Sequence, residues 1–432
     1  MRLTRTFRII FCSAAMLFQL SAMAQNNKIV PPVHKSIQAS ANQMADQLVQ
    51  IRKTLHQHPE LAGKEQQTQA FLQKHLVNLG LEVITQTNGY GIIGVLKTGK
   101  KGKKIAWRAD MDALPNDFPD PVDFKSTQAG VQHGCGHDIH MTIALGMAQV
   151  LAKNKNQLSG SFYFIFQAEE ETFVGAKKLL DNQIAQLHLD EIYGLHVTAM
   201  SAGQIMVKPN EIFAYQKRVQ LRFNKTLDKE AIQEISQLLD AGLSRSMTNS
   251  KPWEMQQILD PKIGLSNDKT IFQDYCFLNQ PYSTYTEKEE QILATDLYET
   301  NAQKIPLIIP QIKQILAASK YASNLGAVSF IQENSTVNND PKLTGLAIQT
   351  LDQIYGKDFV VKAYGQVPFF NDDFAFYQQK IPGVYFLFGG SNFEKGWIAM
   401  NHAPNFMVDE SCLLSGVKYF SSLLVERAKP SL

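Results

Sequence analysis

Charge of one sign is not in excess in this sequence: Lys and Arg number 42 against 40 Asp and Glu, a formal net charge of +2. Such a balance excludes a basic nucleic-acid groove and an anionic-membrane binder as the main business of the chain. Cysteine is scarce, four in 432 residues, which excludes a disulfide-stapled scaffold. Repeats and low-complexity tracts are missing, which excludes solenoid and collagen-like folds and long disordered stretches. The one long apolar run, Ile9 to Leu20, is about a dozen residues, short of the roughly 20 that a spanning helix needs. What is present is ordinary globular material: 44% hydrophobic and 19% charged residues. That is ample for a large core, and the length suits two or three domains.

The first 24 residues differ from the rest. Arg2, Arg5 and Arg8 precede the apolar run, and Ala22-Met23-Ala24 follows it as a small-x-small cleavage site. This pattern reads as a secretory signal, giving a periplasmic or secreted protein with no stable membrane insertion after processing. Without those residues, 39 basic groups face 40 acidic ones, a net of −1. Cys12 leaves with the signal, and an odd number of cysteines remains, Cys135, Cys276 and Cys412. Cys276 and Cys412 lie in apolar segments and are expected to be buried rather than bridged.

Apolar residues recur at helical spacing from Ser36, as in Met44, Leu48, Ile51 and Leu55. His58-Pro59 ends that pattern, and a second helix is expected from Glu65 to Leu79. Strands are expected at Leu81–Ile84, Gly91–Leu96 and Lys104–Ala109, with Thr98-Gly99-Lys100-Lys101-Gly102 as a hairpin turn. A helix over Asp138–Leu151 and strands at Ser161–Gln167 and Glu191–Val197 continue an α/β alternation, with helices covering a sheet. Beyond about Ala202 the pattern becomes strand Tyr215–Phe223, helix Asp228–Met247, strand Thr270–Phe277, helix Ala302–Ala318. The α/β pattern resumes with a helix near Leu343–Tyr355 and a strand at Gly383–Phe388. The expected organisation is a signal at 1–24, a catalytic domain in two parts at 25–208 and 329–432, and an inserted domain at 209–328.

Five short clusters of reactive residues stand out, all in the outer segments. Arg108-Ala109-Asp110-Met111-Asp112 closes a strand, and alternation puts both aspartates on one side. His133-Gly134-Cys135-Gly136-His137-Asp138-Ile139-His140 enters a helix, and its glycines let the backbone bend so that Cys135 and His137 face one centre. Thiolate and imidazole suit zinc and similar borderline metals. Glu169-Glu170-Glu171 follows an apolar strand, where three carboxylates repel unless a cation or solvent compensates. Gly194-Leu195-His196-Val197 ends another strand, and Asn401-His402-Ala403-Pro404 precedes the last helix. Read singly, each also describes a solvated strand end, a helix start or a core histidine. Read together, Cys135, His137, a glutamate, His196 and His402 are too many ligands for one tetrahedral ion. Two ions sharing a bridging water are the economical reading, and an adjacent carboxylate then takes the proton of that water.

In this order the clusters resemble the metal-dependent amidohydrolases that include hippurate hydrolase, N-acyl amino-acid amidohydrolases and plant auxin-conjugate hydrolases, within the aminoacylase/carboxypeptidase metallopeptidase superfamily. Leu55-His56 with Pro59-Glu60-Leu61, Trp107 to Pro115, and Asp409-Glu410 belong to the same resemblance. It implies a mixed-sheet catalytic domain sandwiched by helices, with an inserted ferredoxin-like α+β domain that serves as lid or dimerisation surface. It further implies two divalent ions, Zn, Mn, Co or Ni, with Cys135 shared between them and His137, His196 and His402 as further ligands. Asp112 would be the acid beside the ligands. Alignment on Phe166-Gln167 and on Gly175-Ala176 makes Glu170 the general base, Glu171 the metal ligand and Glu169 an extra acid. The chain departs from the family in its lid. Asn224-Lys225-Thr226 stands where relatives carry Gly-Gly-His-Ala, Ser283 takes an arginine position, and Asp372-Asp373-Phe374 replaces Glu-Asp-Phe.

The leading expectation is therefore an exported hydrolase of N-acyl amino acids or short peptides, with a homodimer formed through the inserted domain. A non-catalytic exported binding protein that kept the metal site is the alternative. A third reading makes Cys135 a covalent nucleophile helped by His133 or His137, and it leaves Glu171, His196 and His402 without a role.

Overall fold

The computed structural model describes residues 31–116, 118–247 and 250–430; the expected signal segment lies outside these residues. Period-two alternation explains the centre of the fold. In Ser161–Gln167, Phe162, Phe164 and Phe166 enter one hydrophobic core while Tyr163 and Ile165 enter another on the opposite face. A strand buried on both faces must be apolar throughout, and this one nearly is.

It belongs to an eight-stranded mixed sheet ordered Glu82–Thr85, Ile92–Lys97, Ser161–Gln167, Lys104–Asp110, Glu191–Ser201, Gly383–Ser391, Ile205–Val207 and Val360–Lys362. The four strands Ser161–Gln167, Lys104–Asp110, Glu191–Ser201 and Gly383–Ser391 run parallel to their neighbours in that group. One face is covered by the helices Pro32–Asn42, Ala45–Gln57, His137–Lys153 and Ser411–Arg427, among others. Helix His137–Lys153 lies within this layer with nearly every residue buried. The other face carries the helix Gly175–Asn182 and the short helix Ala375–Gln378. Among the described residues, no helix is long and apolar enough to cross a membrane.

A separate five-stranded antiparallel sheet draws all its strands from residues 215–332. Its order is Cys276–Leu278, Glu290–Glu299, Tyr215–Phe223, Leu325–Gln332, with Ser283–Glu287 also paired to Glu290–Glu299. Helices Lys229–Leu243 and Ile305–Ala317 supply Ile235, Leu239, Ile308 and Ile312 to its core, against Val219, Leu221 and Leu297 from the sheet. The Asp228 carboxylate caps the first helix by accepting from the Ala231 amide. The last strand runs past residue 328, where the sequence pattern divides the domains.

Three expectations need correction. The Thr98–Gly102 turn is not a hairpin, because Ser161–Gln167 lies between the strands it joins. The turn instead wraps the start of that strand: Thr98 donates to the Gly160 carbonyl and Gly160 donates to that of Lys100. Gly160 has φ +75°, and a Cβ there would sit 2.3 Å from the Lys103 carbonyl oxygen. A local turn signal cannot register a strand arriving from sixty residues away. Second, the helical run from Ser36 breaks at Gln43-Met44 into two helices. Third, only Cys276 and Phe277 of the expected Thr270–Phe277 strand are extended in a sheet, within Cys276–Leu278, and the long strands Glu290–Glu299 and Leu325–Gln332 carry too little alternation to announce themselves.

Candidate metal centre

The four parallel strands deliver their carboxyl ends to one edge of the sheet, where open α/β sheets gather reactive groups. Asp110 ends one strand, Glu170 and Glu171 follow a second, His196 lies in the third, and His402 sits in the loop after the fourth. Cys135 and His137 enter at the N-terminus of the buried helix. The residue between them, Gly136, has φ +89°, and a Cβ there would meet Val197 Cγ1 at 2.4 Å. Glycine is required both for the turn and for the approach of this loop to the sheet.

Around Cys135 two triads form, Cys135–His137–His196 and Cys135–Glu171–His402, each with its ligand atoms within 4.8 Å of one another. The Cys135 sulfur lies 3.4 Å from His196 Nε2 and 3.2 Å from His402 Nε2. His402 Nε2 is 3.3 Å from Glu171 Oε1. His137 Nδ1 donates to the Asp112 backbone carbonyl at 2.8 Å, which leaves Nε2 buried and without a partner. His196 Nδ1 likewise donates to the Val197 carbonyl, and its Nε2 faces the sulfur. Backbone anchoring of one ring nitrogen aims the other, as in metal-binding histidines. Glu171 Oε1 is also buried without a well-aligned hydrogen bond. Orphaned ligand atoms converging on one thiol fit a pair of divalent cations.

His140 is excluded from this set. Its Nδ1 is 2.5 Å from Asp110 Oδ1, and its Nε2 accepts the Val197 amide at 2.9 Å, so both nitrogens are used. Asp112 serves the triads indirectly, since its carboxylate accepts the Glu171 amide at 2.9 Å and lies 3.3 Å from His137 Nδ1. Glu169 turns away with φ +57°, and its carboxylate pairs with Lys178 at 2.8 Å. Glu170 is buried and faces the same cavity as Cys135, Glu171, His196 and His402.

Electrostatics follow from this crowding. Burial and the nearby Glu171 and Glu170 carboxylates push the Cys135 thiol well above its usual range. Burial and the charges of Asp372 and Glu171 push the Glu170 carboxyl up as well. Burial works against the positive form of His137, yet Asp110 and Asp112 raise it to about 10. Burial and the neighbouring His140 lower His196 to about 3, keeping it neutral with a lone pair available. Glu171 stays below the usual range in spite of burial, because His402 and His137 face it. The region carries negative charge in need of cations.

Two supporting groups have distant partners that no short-range sequence signal announces. A fully buried Arg108 guanidinium donates to Asp110 at 2.5 Å, Asp372 at 3.2 Å, Asp373 at 2.8 Å and Gln167 at 2.9 Å. It ties the strand end to the loop at 372–373, more than 260 positions away. Glu65, also fully buried, accepts the Glu169 amide at 2.9 Å and so fixes the start of the three-glutamate turn. Leu55-His56 and Pro59-Glu60 act further out. His56 joins Asp138, next to His137, to Asp120, while the Glu60 carboxylate accepts the Gln67 and Thr68 amides and its carbonyl accepts that of Ala113.

The family profile described as Peptidase family M20/M25/M40 matches residues 106–426. The chain belongs to this peptidase family. Thermostable carboxypeptidase 2 of Saccharolobus solfataricus is 30% identical over 411 residues, covering 91% of this chain and 98% of that protein. N-acetyl-L-cysteine deacetylase of Bacillus subtilis is 28% identical over 418 residues, covering 93% and 92%. The crystal structure of the Bacillus subtilis YXEP protein, a dinuclear metal binding peptidase from the M20 family, superposes with a TM-score of 0.69 at 23% identity and covers 89% of this chain and 99% of that one. It shares the fold: a catalytic layer with a second sheet inserted in sequence. As an M20 member the chain is a hydrolase of carbon–nitrogen bonds.

Proposed function

We propose that this peptidase-family member is an exported, metal-dependent amidohydrolase that cleaves the amide bond of N-acyl amino acids or short peptides. The observation that carries the reading is the convergence of two ligand triads on the single Cys135 sulfur, with Glu170 in the same cavity. Relatives named as a deacetylase of an N-acetyl amino acid and as a carboxypeptidase support an amide next to an amino acid. In our assignment Cys135, His137 and His196 would hold one divalent ion, and Cys135, Glu171 and His402 would hold the other. Zn, Mn, Co and Ni all suit a sulfur, imidazole and carboxylate set. The chemistry such ions would supply there is polarisation of the amide carbonyl and a lowered pKa for a water.

Glu170 takes the proton of the attacking water and returns it to the leaving amine. It faces the cavity that the ligand residues share, as a group that both takes and returns that proton must. Asp112 holds the His137 tautomer and the Glu171 backbone in place. Residues 1–24 carry the proposed export to the periplasm or outside, and the domain that begins near residue 209 is the proposed dimerisation surface.

Glu170→Gln should lower kcat on an N-acyl amino acid by about 10²- to 10⁴-fold, with metal content unchanged. Glu169→Gln should leave kcat within a fewfold, since Glu169 pairs with Lys178. The reverse pattern would place the base one residue earlier. Tight binding of substrate by the wild type without turnover would favour the non-catalytic reading, which the missing lid histidine at Asn224-Lys225-Thr226 motivates.

A further inference from the structure

Beside the metal centre lies a second cavity of about 260 Å³. The two adjoin, because His196, Met255, Phe370 and Met400 line both. A dry apolar cavity of about 150 Å³ is enough to hold benzene, so this one has room for an aromatic ring or a medium-length alkyl chain. Neither cavity has a Lys or Arg in its lining.

Part of the wall comes from residues 250–275, which precede strand Cys276–Leu278. The segment contributes Met255, Ile258 and Leu259 from one 3-10 turn. It is fastened to the rest of the fold rather than draped on it. Within it, Leu265 donates to the Ile258 carbonyl at 2.9 Å and Ile271 to that of Ile263 at 3.1 Å. Across to the catalytic part, Tyr364 donates to the Leu265 carbonyl and Gln366 to that of Phe272, both at 2.9 Å, and the Tyr275 hydroxyl donates to the Gln366 carbonyl at 2.9 Å. The opposite wall is the sheet itself, through Thr198, Met200 and Leu387. A wall pinned on two sides makes a preformed pocket, and an apolar lining with the reactive groups at one end is the usual form of a small-molecule site.

Resting on the amidohydrolase reading, we propose that this pocket selects substrates carrying an uncharged aromatic or medium-chain alkyl group next to the scissile amide. The 255–259 turn is the specificity-determining wall. The apolar group enters between that turn and the sheet while the amide reaches Cys135, Glu170 and His402.

The test uses full-length, metal-loaded protein and two substrate series. One lengthens the acyl group from acetyl to octanoyl, with benzoyl, on a single amino acid; the other keeps acetyl and enlarges the amino-acid side chain from Ala to Leu and Phe. Equilibrium binding and kcat/KM are both read. In one series each should rise by about fourfold per added methylene until the pocket is full, and the series that rises identifies which side of the amide enters. Leu259→Asp, at a partly exposed position, should abolish that rise. Leu259→Trp, which fills the mouth, should penalise only the longest members. Flat or falling dependence in both series, with turnover intact, overturns the pocket and leaves the amidohydrolase reading standing. Length-dependent binding with no turnover in any substrate supports the pocket and defeats that reading. A rise that Leu259→Asp and Leu259→Trp both leave intact overturns the assignment to this wall.

Discussion

At the scale of single residues, the ligand set owes its geometry to hydrogen bonds made by atoms that face away from it. His137 and His196 each commit Nδ1 to a backbone carbonyl and present Nε2 inward. His140 commits both nitrogens and drops out. These distinctions are invisible in a string containing three histidines within eight residues, whereas the strings themselves, with cysteine, glycine and acid at short spacing, were readable. Further from the ions, His56 couples the second helix to the metal-binding helix through Asp138. Burial works against its charged form, but hydrogen bonds to Asp120 and Asp138 raise it to about 9 from an ordinary 6.5. A group whose folded pKa is raised stabilises the fold fully below its unfolded pKa. That contribution is lost as pH rises through the folded value. Stability should therefore fall between pH 6.5 and 9 by on the order of 3 kcal/mol. Urea midpoints measured across that range should decline in the wild type, and the decline should be absent in His56→Gln. An equal slope in both proteins would contradict this role.

Among the elements, the entry to helix His137–Lys153 and the Arg108 strand end decide where the ligands stand. Gly136→Ala combines a positive φ with a 2.4 Å clash against Val197. It should cost at least 1–2 kcal/mol of stability and weaken metal affinity in a competition titration with a chelating dye. Unchanged affinity would show that the loop relaxes without moving Cys135 or His137. Arg108 holds three carboxylates in the interior. Arg108→Met should destabilise by roughly 3–5 kcal/mol, because uncompensated buried charge is left behind. Adding Asp373→Asn should restore part of that loss in a double-mutant comparison of urea midpoints. Nothing local to Arg108 predicts its partners at 372 and 373, and the Thr98–Gly102 turn misleads for the same reason. Local patterns carry the strand and turn but not the neighbour. Element type was legible wherever one face alternated or a helix was long, while pairing order had to come from contacts between distant segments.

At the level of the whole molecule, the sheet places the carboxyl ends of its parallel strands at one edge, and a second sheet is inserted between two of its segments. The division into an outer α/β layer and an inner α+β block was legible from the change of pattern near Ala202 and its return after Gln332. The wall formed by residues 250–275 was not, because it has little regular structure and takes its meaning from what it packs against. Cys276 and Cys412 are buried and unpaired, so among the described residues one cysteine stands at the metal centre and two pack as small apolar groups.

The central claim is that two divalent ions, joined at Cys135, are what make this fold a hydrolase. The most direct measurement is ion stoichiometry and N-acyl amino acid turnover in parallel, on protein stripped with chelator and then titrated with Zn, Mn, Co or Ni. The account predicts no turnover in the stripped protein, restoration that saturates at two ions per chain, and loss of both occupancy and turnover in Cys135→Ala. Turnover that survives exhaustive chelation, or that saturates at one ion and is untouched by Cys135→Ala, would contradict it.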